Sequence, residues 1–312
     1  MSVNSIEVQG LTKVFGSFKA VYELSFSVRA GEIFGFLGAN GAGKSTTIRM
    51  LCGLLQSTSG SAMVGGYNIN NQSEDLRRNI GYMSQRFSLY DDLTVEQNIR
   101  FFGGVYGLDG SRLKERMSWV IKMAGLEGRE SSLTRTLAGG FKQRLALGCA
   151  ILHEPGIVFL DEPTGGVDPV SRRNFWELIS SLSEQGVTVL VTTHFLDEAE
   201  YCNDIILIEA GRLLAAGSPL ALKTQHIKFP ILEVSRVDPL VSMQKLEGQP
   251  WVEEISVFGS SLHVMVNDEE KGRQELRRLL GESVGVDRVV PSLEDVFLYL
   301  LEQERGKPGK AN

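Results

Sequence analysis

The chain has 312 residues and a formal net charge of −6, because 38 Asp and Glu outnumber 32 Lys and Arg. This acidic balance argues against broad nucleic-acid binding, which depends on many cations that neutralise phosphates. The three cysteines, Cys52, Cys149 and Cys202, form no CxxC pair, so neither a disulfide framework nor a zinc site is indicated. We find no signal-peptide pattern and no apolar run near ~18 residues, and we expect a protein of the reducing cytoplasm.

In chain order, residues 5–8 and 21–28 are predicted as antiparallel strands with no helix between them. After them, short apolar runs typical of strands buried on both faces alternate with helical patterns. The apolar runs are 33–37, 157–160, 187–191 and 205–208, and the helical patterns are 44–54, 95–107, 111–124, 140–153 and 170–185. This alternation predicts an α/β unit with a largely parallel sheet.

The pattern changes after about residue 226 and predicts a second, α+β unit. Strands are expected at 230–235, 251–258, 261–266 and 284–290, and helices at 238–246, 270–281 and 292–304. The order β-α-β-β-α-β resembles a ferredoxin-like unit followed by a terminal helix. We therefore place a first domain at 1–225, an accessory domain at 226–305 and a disordered tail at 306–312.

Residues 38–46 read GANGAGKST and match the phosphate-binding pattern G-x-x-x-x-G-K-[ST]. A predicted strand precedes the loop and a predicted helix follows it, as the pattern requires. Glycines let successive backbone N–H groups point at an anion, and the helix N-terminus adds its positive dipole. Lys44 is expected to reach the β- and γ-phosphates and Ser45 to ligate Mg²⁺, while the alternative is a glycine turn that only caps a helix.

A second candidate group follows the apolar strand ends. Residues 157–162 read IVFLDE, and two carboxylates after a buried strand suggest a cation or a reaction. Asp161 suits Mg²⁺, and Glu162 suits a general base that orients the attacking water. His194 follows the run VTVLVTT and could bind a γ-phosphate oxygen, or it could be a helix cap or a solvated histidine. Gln85 could reach Mg²⁺ or the water, although a single glutamine carries little information.

Residues 137–144, LAGGFKQR, place two glycines at a predicted helix start, where backbone N–H groups can bind an anion. From composition alone this segment could equally be a plain glycine turn. Asp168 and Pro169 form the start of the next helix, with an N-cap before a proline at the first helical position.

Taken in order, these motifs resemble those of the ATP-binding cassette (ABC) ATPases over about residues 4–220. The resemblance implies a P-loop cassette with an antiparallel β subdomain and a helical subdomain. It identifies 137–140 with the family's signature motif, Asp168 with its D-loop, His194 with its switch histidine and Phe15 with the aromatic that lies against adenine. The implied nucleotide contacts are Phe15, Gly38, Asn40, Gly41, Ala42, Gly43, Lys44, Ser45, Thr46, Ala138, Gly139, Gly140 and Asp168. Two ATP molecules would then lie between two such domains, in a homodimer or a pair with a related ATPase.

The signature region departs from the family pattern. Ala138 stands where a serine hydroxyl usually contacts the γ-phosphate, and Phe141 stands where glutamine is common. Gly165 and Val167 replace the serine and leucine that are common in the D-loop. These differences leave the expected fold unchanged and bear on the rate of hydrolysis.

The C-terminal segment 291–301, PSLEDVFLYLL, resembles the tails of ATPase subunits from ABC-2 type exporters of drugs and polymers. That resemblance implies a separate integral-membrane permease and a cytoplasmic protein bound peripherally to the inner face of the cell membrane. Segment 85–97 would lie near the permease, with Phe87, Leu89 and Tyr90 as apolar anchors. The apolar residues of 297–301 are equally consistent with an ordinary helix face.

Two other functions remain open from the sequence. Soluble ABC ATPases act in DNA repair or translation, but they carry coiled coils, zinc modules or two cassettes, which this chain lacks. A nucleotide-regulated binding module with little turnover is the third reading, against which Glu162 and His194 argue.

Overall fold

The computed structural model describes residues 4–85 and 89–305. By their internal contacts these residues divide into two compact units, which lie within Met1–Ala216 and Gly217–Asn312. The division falls earlier than the expected boundary after residue 225, so the helix that begins at Pro219 groups with the second unit. The expected disordered tail, 306–312, lies outside the described residues.

The first unit alternates strands and helices. In chain order it contains β1 (Asn4–Phe15), β2 (Phe18–Arg29), β3 (Ile33–Leu37), α1 (Lys44–Leu51), β4 (Ser59–Val64), β5 (Tyr67–Asn68), α2 (Ser73–Asn79), β6 (Ile80–Met83), α3 (Val95–Val105), α4 (Gly110–Ala124), α5 (Gly139–Ala150), β7 (Ile157–Asp161), α6 (Pro169–Glu184), β8 (Thr188–Thr193), β9 (Asp204–Glu209) and β10 (Arg212–Gly217). Two short 3-10 helices lie at Thr134–Thr136 and Glu198–Tyr201.

A six-stranded sheet in the order β10-β9-β3-β8-β7-β6 forms the centre of this unit. Strands β3, β6, β7, β8 and β9 pair in parallel, as the alternating pattern predicts. Every residue of β3, β7 and β8 is buried, because helices and the second sheet cover both faces. The carboxyl ends of these three strands therefore lie side by side at one edge of the sheet.

An antiparallel sheet and a helical cluster complete the first unit. Strands β1 and β2 pair directly, as predicted, and extend into the sheet order β2-β1-β4-β5. Helices α3, α4 and α5 pack around a separate apolar core that includes Ile99, Val120 and Leu145. The predicted helix over 44–54 ends at Leu51, because Gly53 takes the left-handed conformation with φ 65° just beyond the helix end.

The second unit has the predicted β-α-β-β-α-β order. It consists of α7 (Pro219–His226), β11 (Ile231–Ser235), α8 (Pro239–Leu246), β12 (Val252–Phe258), β13 (Ser261–Val266), α9 (Glu269–Leu280), β14 (Gly285–Val289) and α10 (Leu293–Arg305). The sheet order β12-β13-β11-β14 is antiparallel throughout, which is the ferredoxin-like arrangement. One buried hydrogen bond, between His263 Nδ1 and Asp295 Oδ1 at 2.9 Å, joins α10 to β13.

Among the helices of the described ranges, none combines the length and apolar character that crossing a membrane requires.

Candidate active site

The loop between β3 and α1 packs so closely against neighbouring backbone that glycine is needed at two of its positions. A Cβ on Gly38 would lie 2.4 Å from the carbonyl oxygen of Ile208, and one on Gly43 would lie 2.4 Å from that of Ala20. Gly43 also has φ 104°, a conformation that residues with a side chain rarely adopt. The glycines of the sequence motif are thus required by the fold of the loop.

Lys44 begins α1, and its ammonium group folds back over this loop. It donates to the carbonyl oxygens of Gly38 at 2.8 Å and Ala39 at 3.2 Å. It also forms an ion pair with Glu162 Oε1 at 3.1 Å. Both partners of this pair are buried, with 4% and 8% of their side chains exposed, so their charges offset each other where water is largely excluded.

Asp161, the last residue of β7, is held by two hydroxyl groups. Ser45 Oγ donates to its Oδ1 at 3.0 Å, and Thr192 Oγ1 donates to the same atom at 2.7 Å. Burial raises the pKa of Asp161, the negative charge of Glu162 raises it further, and the two hydrogen bonds oppose the rise. The carboxylate is therefore desolvated in a way that favours a cation nearby.

Glu162 follows directly and lies at the centre of the cluster. Its backbone has φ 46°, in the left-handed region that is uncommon for a residue other than glycine. While Oε1 contacts Lys44, Oε2 accepts a hydrogen bond from Gln85 Nε2 at 2.9 Å and lies 3.3 Å from His194 Nδ1. Three residues from distant parts of the chain thus meet around the Glu162 carboxylate.

The structure brings together the predicted catalytic residues Lys44, Gln85, Glu162 and His194, with Ser45 and Asp161 beside them. Of the remaining loop positions, Asn40 and Gly41 are exposed, Thr46 is half-buried, and Ala42 is buried.

The signature segment lies at the start of α5 and contacts a different part of the chain. Ala138 is the N-cap, and its side chain makes no capping hydrogen bond. Gly140 packs against α6 so closely that a Cβ there would lie 2.4 Å from Ser171 Oγ, whereas a Cβ on Gly139 would meet its nearest neighbour at 3.6 Å. Asp168 accepts a hydrogen bond from the Ser171 backbone N–H at 2.9 Å, as a predicted N-cap should.

Within the described residues, no hydrogen bond or ion pair joins Ala138, Gly139 or Asp168 to the cluster around Glu162. The signature helix is tied to that region through Gln143, whose Nε2 donates to the carbonyl oxygen of Pro163 at 2.6 Å. The two halves of the predicted nucleotide site are thus separate groups within one chain.

Phe15 ends β1 with 48% of its side chain exposed, so it does not belong to the apolar core. The ammonium group of Lys13 lies 5.1 Å from the centre of its ring. An exposed ring beside a cation is free to stack on an aromatic ligand.

Two residues of this region have no counterpart among the predicted site residues. Thr192 bridges Asp161 and Glu162, and Gln143 anchors α5, yet threonine is common in strands and glutamine in helices. Their importance is indicated by one property alone: both are fully buried polar side chains, and such side chains require hydrogen-bond partners.

The oxygen atoms of this region suit Mg²⁺. Ser45 and Asp161 supply a hydroxyl and a carboxylate, and Gln85 carries an amide oxygen, all of them hard donors. The parts of the chain that the structure describes contain no group of three or more His, Cys, Asp or Glu residues able to hold a metal ion. Mg²⁺ usually keeps waters and substrate phosphates in its coordination shell, so Ser45 and Asp161 would be sufficient protein ligands for it.

Comparison with known proteins agrees with this geometry. The ABC transporter family profile matches residues 21–165. The chain is 38% identical over 310 residues to the Nod factor export ATP-binding protein I of Rhizobium sp. (strain N33), covering 98% of this chain and 100% of that protein. It is 56% identical over 220 residues to the probable multidrug ABC transporter ATP-binding protein YbhF of Escherichia coli (strain K12), covering 70% of this chain and 38% of YbhF, so it spans well under half of that relative.

The fold is likewise similar to a solved ATP-binding cassette, MJ0796, whose structure is a dimer in a post-hydrolysis state bound to ADP and phosphate. The TM-score is 0.63 and the identity 26%, and the match covers 68% of this chain and 98% of that cassette. Since the relative from Rhizobium matches along almost the whole length of both chains, the chain belongs to the ABC transporter family.

Proposed function

We propose that this chain is the ATP-hydrolysing subunit of an exporter, which it powers by ATP-driven closure of a dimer. The observation that carries the proposal is the cluster around Glu162, in which Lys44, Gln85 and His194 surround a buried carboxylate. A carboxylate near a phosphate-binding loop can accept a proton from the attacking water, and hydrolysis then yields ADP and phosphate.

Each residue has a distinct part in this proposal. The loop amides from Gly38 to Ser45 and the Lys44 ammonium bind the β- and γ-phosphates. Glu162 accepts the proton of the attacking water, while Gln85 and His194 orient the carboxylate through its second oxygen. When bound, Mg²⁺ neutralises charge on the phosphate oxygens, and Ser45 and Asp161 are the residues that would hold it.

The separation of the two halves of the site supports dimer closure. Ala138 and Gly139 are exposed at an uncapped helix start, and no described hydrogen bond or ion pair links them to the Glu162 cluster. Backbone N–H groups at such a position favour an anion, which a second chain would supply as its bound γ-phosphate. A homodimer, or a pair with a related ATPase, would complete both sites.

A groove in the first unit is our structural argument that the chain binds a membrane protein. It has a volume of about 790 Å³, and its lining includes Leu54, Tyr82, Phe102 and Val105 together with the cationic Arg77. Leu54 and Val105 are largely exposed, which is costly on a surface that stays in water and typical of a protein contact. We propose that an ABC-2 type permease docks here, which would place the chain on the cytoplasmic face of the cell membrane.

The expected permease anchors differ in their placement. Tyr90 is 48% exposed and packs edge-on against Phe101, so it can contribute to a contact surface. Leu89 instead packs against the apolar core of the helical cluster. Phe87 lies outside the described residues.

ATP turnover by the purified chain, with and without membranes of the source cell, tests the hydrolytic part of this proposal. Turnover should require Mg²⁺ and should be lost in Lys44→Ala. Affinity capture of the chain should recover an integral-membrane protein, and loss of that capture in Val105→Asp would assign the groove. Recovery of ribosomes or DNA in its place would favour the alternative of a soluble ABC ATPase in translation or repair.

A further inference from the structure

We infer that Thr192 is a positioning residue that fixes the metal-binding and proton-accepting carboxylates relative to each other. The inference rests on the proposed hydrolysis of ATP. Among the described residues, the Thr192 hydroxyl is hydrogen-bonded to Asp161 and Glu162, and it acts on the site through these two acidic residues.

The hydroxyl of Thr192 lies between Asp161 and Glu162, and its hydrogen bonds have only one possible direction. The Glu162 backbone N–H can only donate, and it does so to Thr192 Oγ1 at 2.9 Å. The single hydroxyl hydrogen is then left for Asp161 Oδ1, 2.7 Å away. Since Thr192 is 0% exposed, no water competes for either bond.

The register of the sheet explains why this threonine can reach both residues. Strands β7 and β8 are parallel neighbours in which Asp161 lies opposite Thr192. The carbonyl oxygen of Thr192 also accepts from the Glu162 N–H, at 3.2 Å. One residue of β8 therefore holds the end of β7 through both its backbone and its side chain.

Glu162 needs this support because its backbone is in the left-handed region, at φ 46°. A non-glycine residue stays in that conformation only when its surroundings fix it. The hydrogen bonds from its N–H to Thr192 fix the backbone there, and from it the carboxylate reaches Lys44, Gln85 and His194. Without the hydroxyl, Glu162 keeps only the longer bond to the Thr192 carbonyl oxygen.

Asp161 depends on the same hydroxyl in a different way. Its Oδ1 accepts from both Ser45 and Thr192, which together set the rotation of the carboxylate. If the Thr192 hydroxyl is removed, the Ser45 hydroxyl alone holds Oδ1, and that hydroxyl is also a proposed metal ligand. The carboxylate would then be free to rotate away from the position that suits Mg²⁺.

Strand β8 supplies a matched control. Thr188, at the other end of the same strand, is also buried and also uses its hydroxyl twice, accepting from the Gly31 N–H at 3.0 Å and donating to Ser5 Oγ at 2.9 Å. Valine has the same branched shape as threonine and carries a methyl group in place of the hydroxyl, so it can neither donate nor accept there. Thr188→Val and Thr192→Val therefore make the same chemical change in the same strand. Only Thr192→Val makes it beside Asp161 and Glu162.

The test compares the full-length wild type with Thr192→Val, Thr192→Ser and Thr188→Val. Hydrogen bonds to charged groups are strong enough that Thr192→Val should lower kcat at least about tenfold. Calorimetric titration should show ATP binding in Mg²⁺ weakened at least about threefold, with binding in EDTA unchanged within about twofold. Thr192→Ser should keep the wild-type kcat and the wild-type affinity for ATP in Mg²⁺. Thr188→Val should lower the melting temperature and leave kcat and that affinity unchanged.

The inference is overturned if Thr192→Val matches the wild type in kcat and in Mg²⁺-dependent binding, or if its losses equal those of Thr188→Val. It is also overturned if folded Thr192→Ser is as impaired as the valine variant. Should Thr192→Val fail to fold, Thr192→Ala is measured in the same way and decides by the same criteria. A wild-type chain without turnover would refute the proposed hydrolysis alone, because the comparison of binding in Mg²⁺ and EDTA still decides the role of Thr192.

Discussion

Replacing Glu162 with glutamine should separate ATP binding from ATP hydrolysis. In the structure Glu162 Oε1 lies 3.1 Å from Lys44 Nζ, so a phosphate that binds Lys44 competes with this carboxylate. Glutamine has the same size and can still present an oxygen to Lys44. Its NH₂ group then replaces the oxygen that accepts from Gln85 Nε2, so the Gln85 amide must turn its own oxygen toward it to accept. It cannot accept the proton of the attacking water as a base.

The size of each effect follows from these contacts. With an effective dielectric constant of about 20, two unit charges 3.1 Å apart attract by about 5 kcal/mol. Most of that is offset by the cost of burying both ions, and Lys44 keeps the carbonyl oxygens of Gly38 and Ala39. We expect the nucleotide-free variant to be less stable by about 1–2 kcal/mol, and ATP to bind roughly 5- to 30-fold more tightly, since it no longer competes with a carboxylate for Lys44.

Hydrolysis in Glu162→Gln should fall by at least the ~10²–10⁴ that general-base catalysis contributes. Phosphate release and calorimetric titration measure the two effects, and size-exclusion chromatography in Mg-ATP should show the variant accumulating as a dimer. Glu154→Gln is the matched control, because that acid is half exposed and pairs with Arg112 and Arg116 at the surface. If Glu162→Gln hydrolyses ATP within tenfold of the wild-type rate, Glu162 is not the general base. If it binds ATP more weakly than the wild type, Glu162 does not compete with ATP for Lys44.

Three further predictions follow from other parts of the chain. Phe15→Ala should raise the ATP dissociation constant roughly 5- to 150-fold, since base–aromatic stacking contributes ~1–3 kcal/mol, and an unchanged constant would remove Phe15 from the site. Gly140→Ala should destabilise the chain by about 1–3 kcal/mol, because its Cβ would overlap Ser171, whereas Gly139→Ala should melt like the wild type. Burial, followed by the charges of Glu302 and Asp295, raises the pKa of Glu254 from its ordinary 4.5 to about 7. The fold therefore loses stability as the pH rises from about 4.5 to about 7 and stays at the lower level above it. Glu254→Gln should raise the melting temperature at pH 8 and leave it unchanged at pH 4, by an amount reduced by solvent screening. Equal shifts at both pH values would contradict that assignment.

Features that depend on neighbouring residues could be predicted from the sequence. The strand and helix that flank residues 38–43, the buried strands β3 and β7 and the order of elements in the ferredoxin-like unit all follow from local patterns, and the structure confirms them. The helix over 44–54 was predicted too long because its apolar pattern continues past the point where Gly53 turns the chain.

Contacts between distant segments could not be read in the same way. Nothing near Gln85 in the sequence shows that its amide meets Glu162, and Thr192 looks like any strand threonine until the order of the sheet places it opposite Asp161. Such contacts depend on strand order and register, which a single sequence does not specify.

Strand order also has a consequence for how the protein is made. Strand β8 lies between β3 and β7, although both precede it in the chain. A nascent chain that has reached Asp168 already carries the phosphate loop, which follows β3, and both carboxylates, which end β7. Strand β8, which joins β3 to β7 in the sheet, has yet to be synthesised. The site therefore forms late, through pairings distant in sequence, which are slow to form. Until Thr193 has left the ribosome, the edges of β3 and β7 that face β8 have no partner, although β7 can already pair with β6 on its other side. In this interval those two apolar edges are exposed to aggregation.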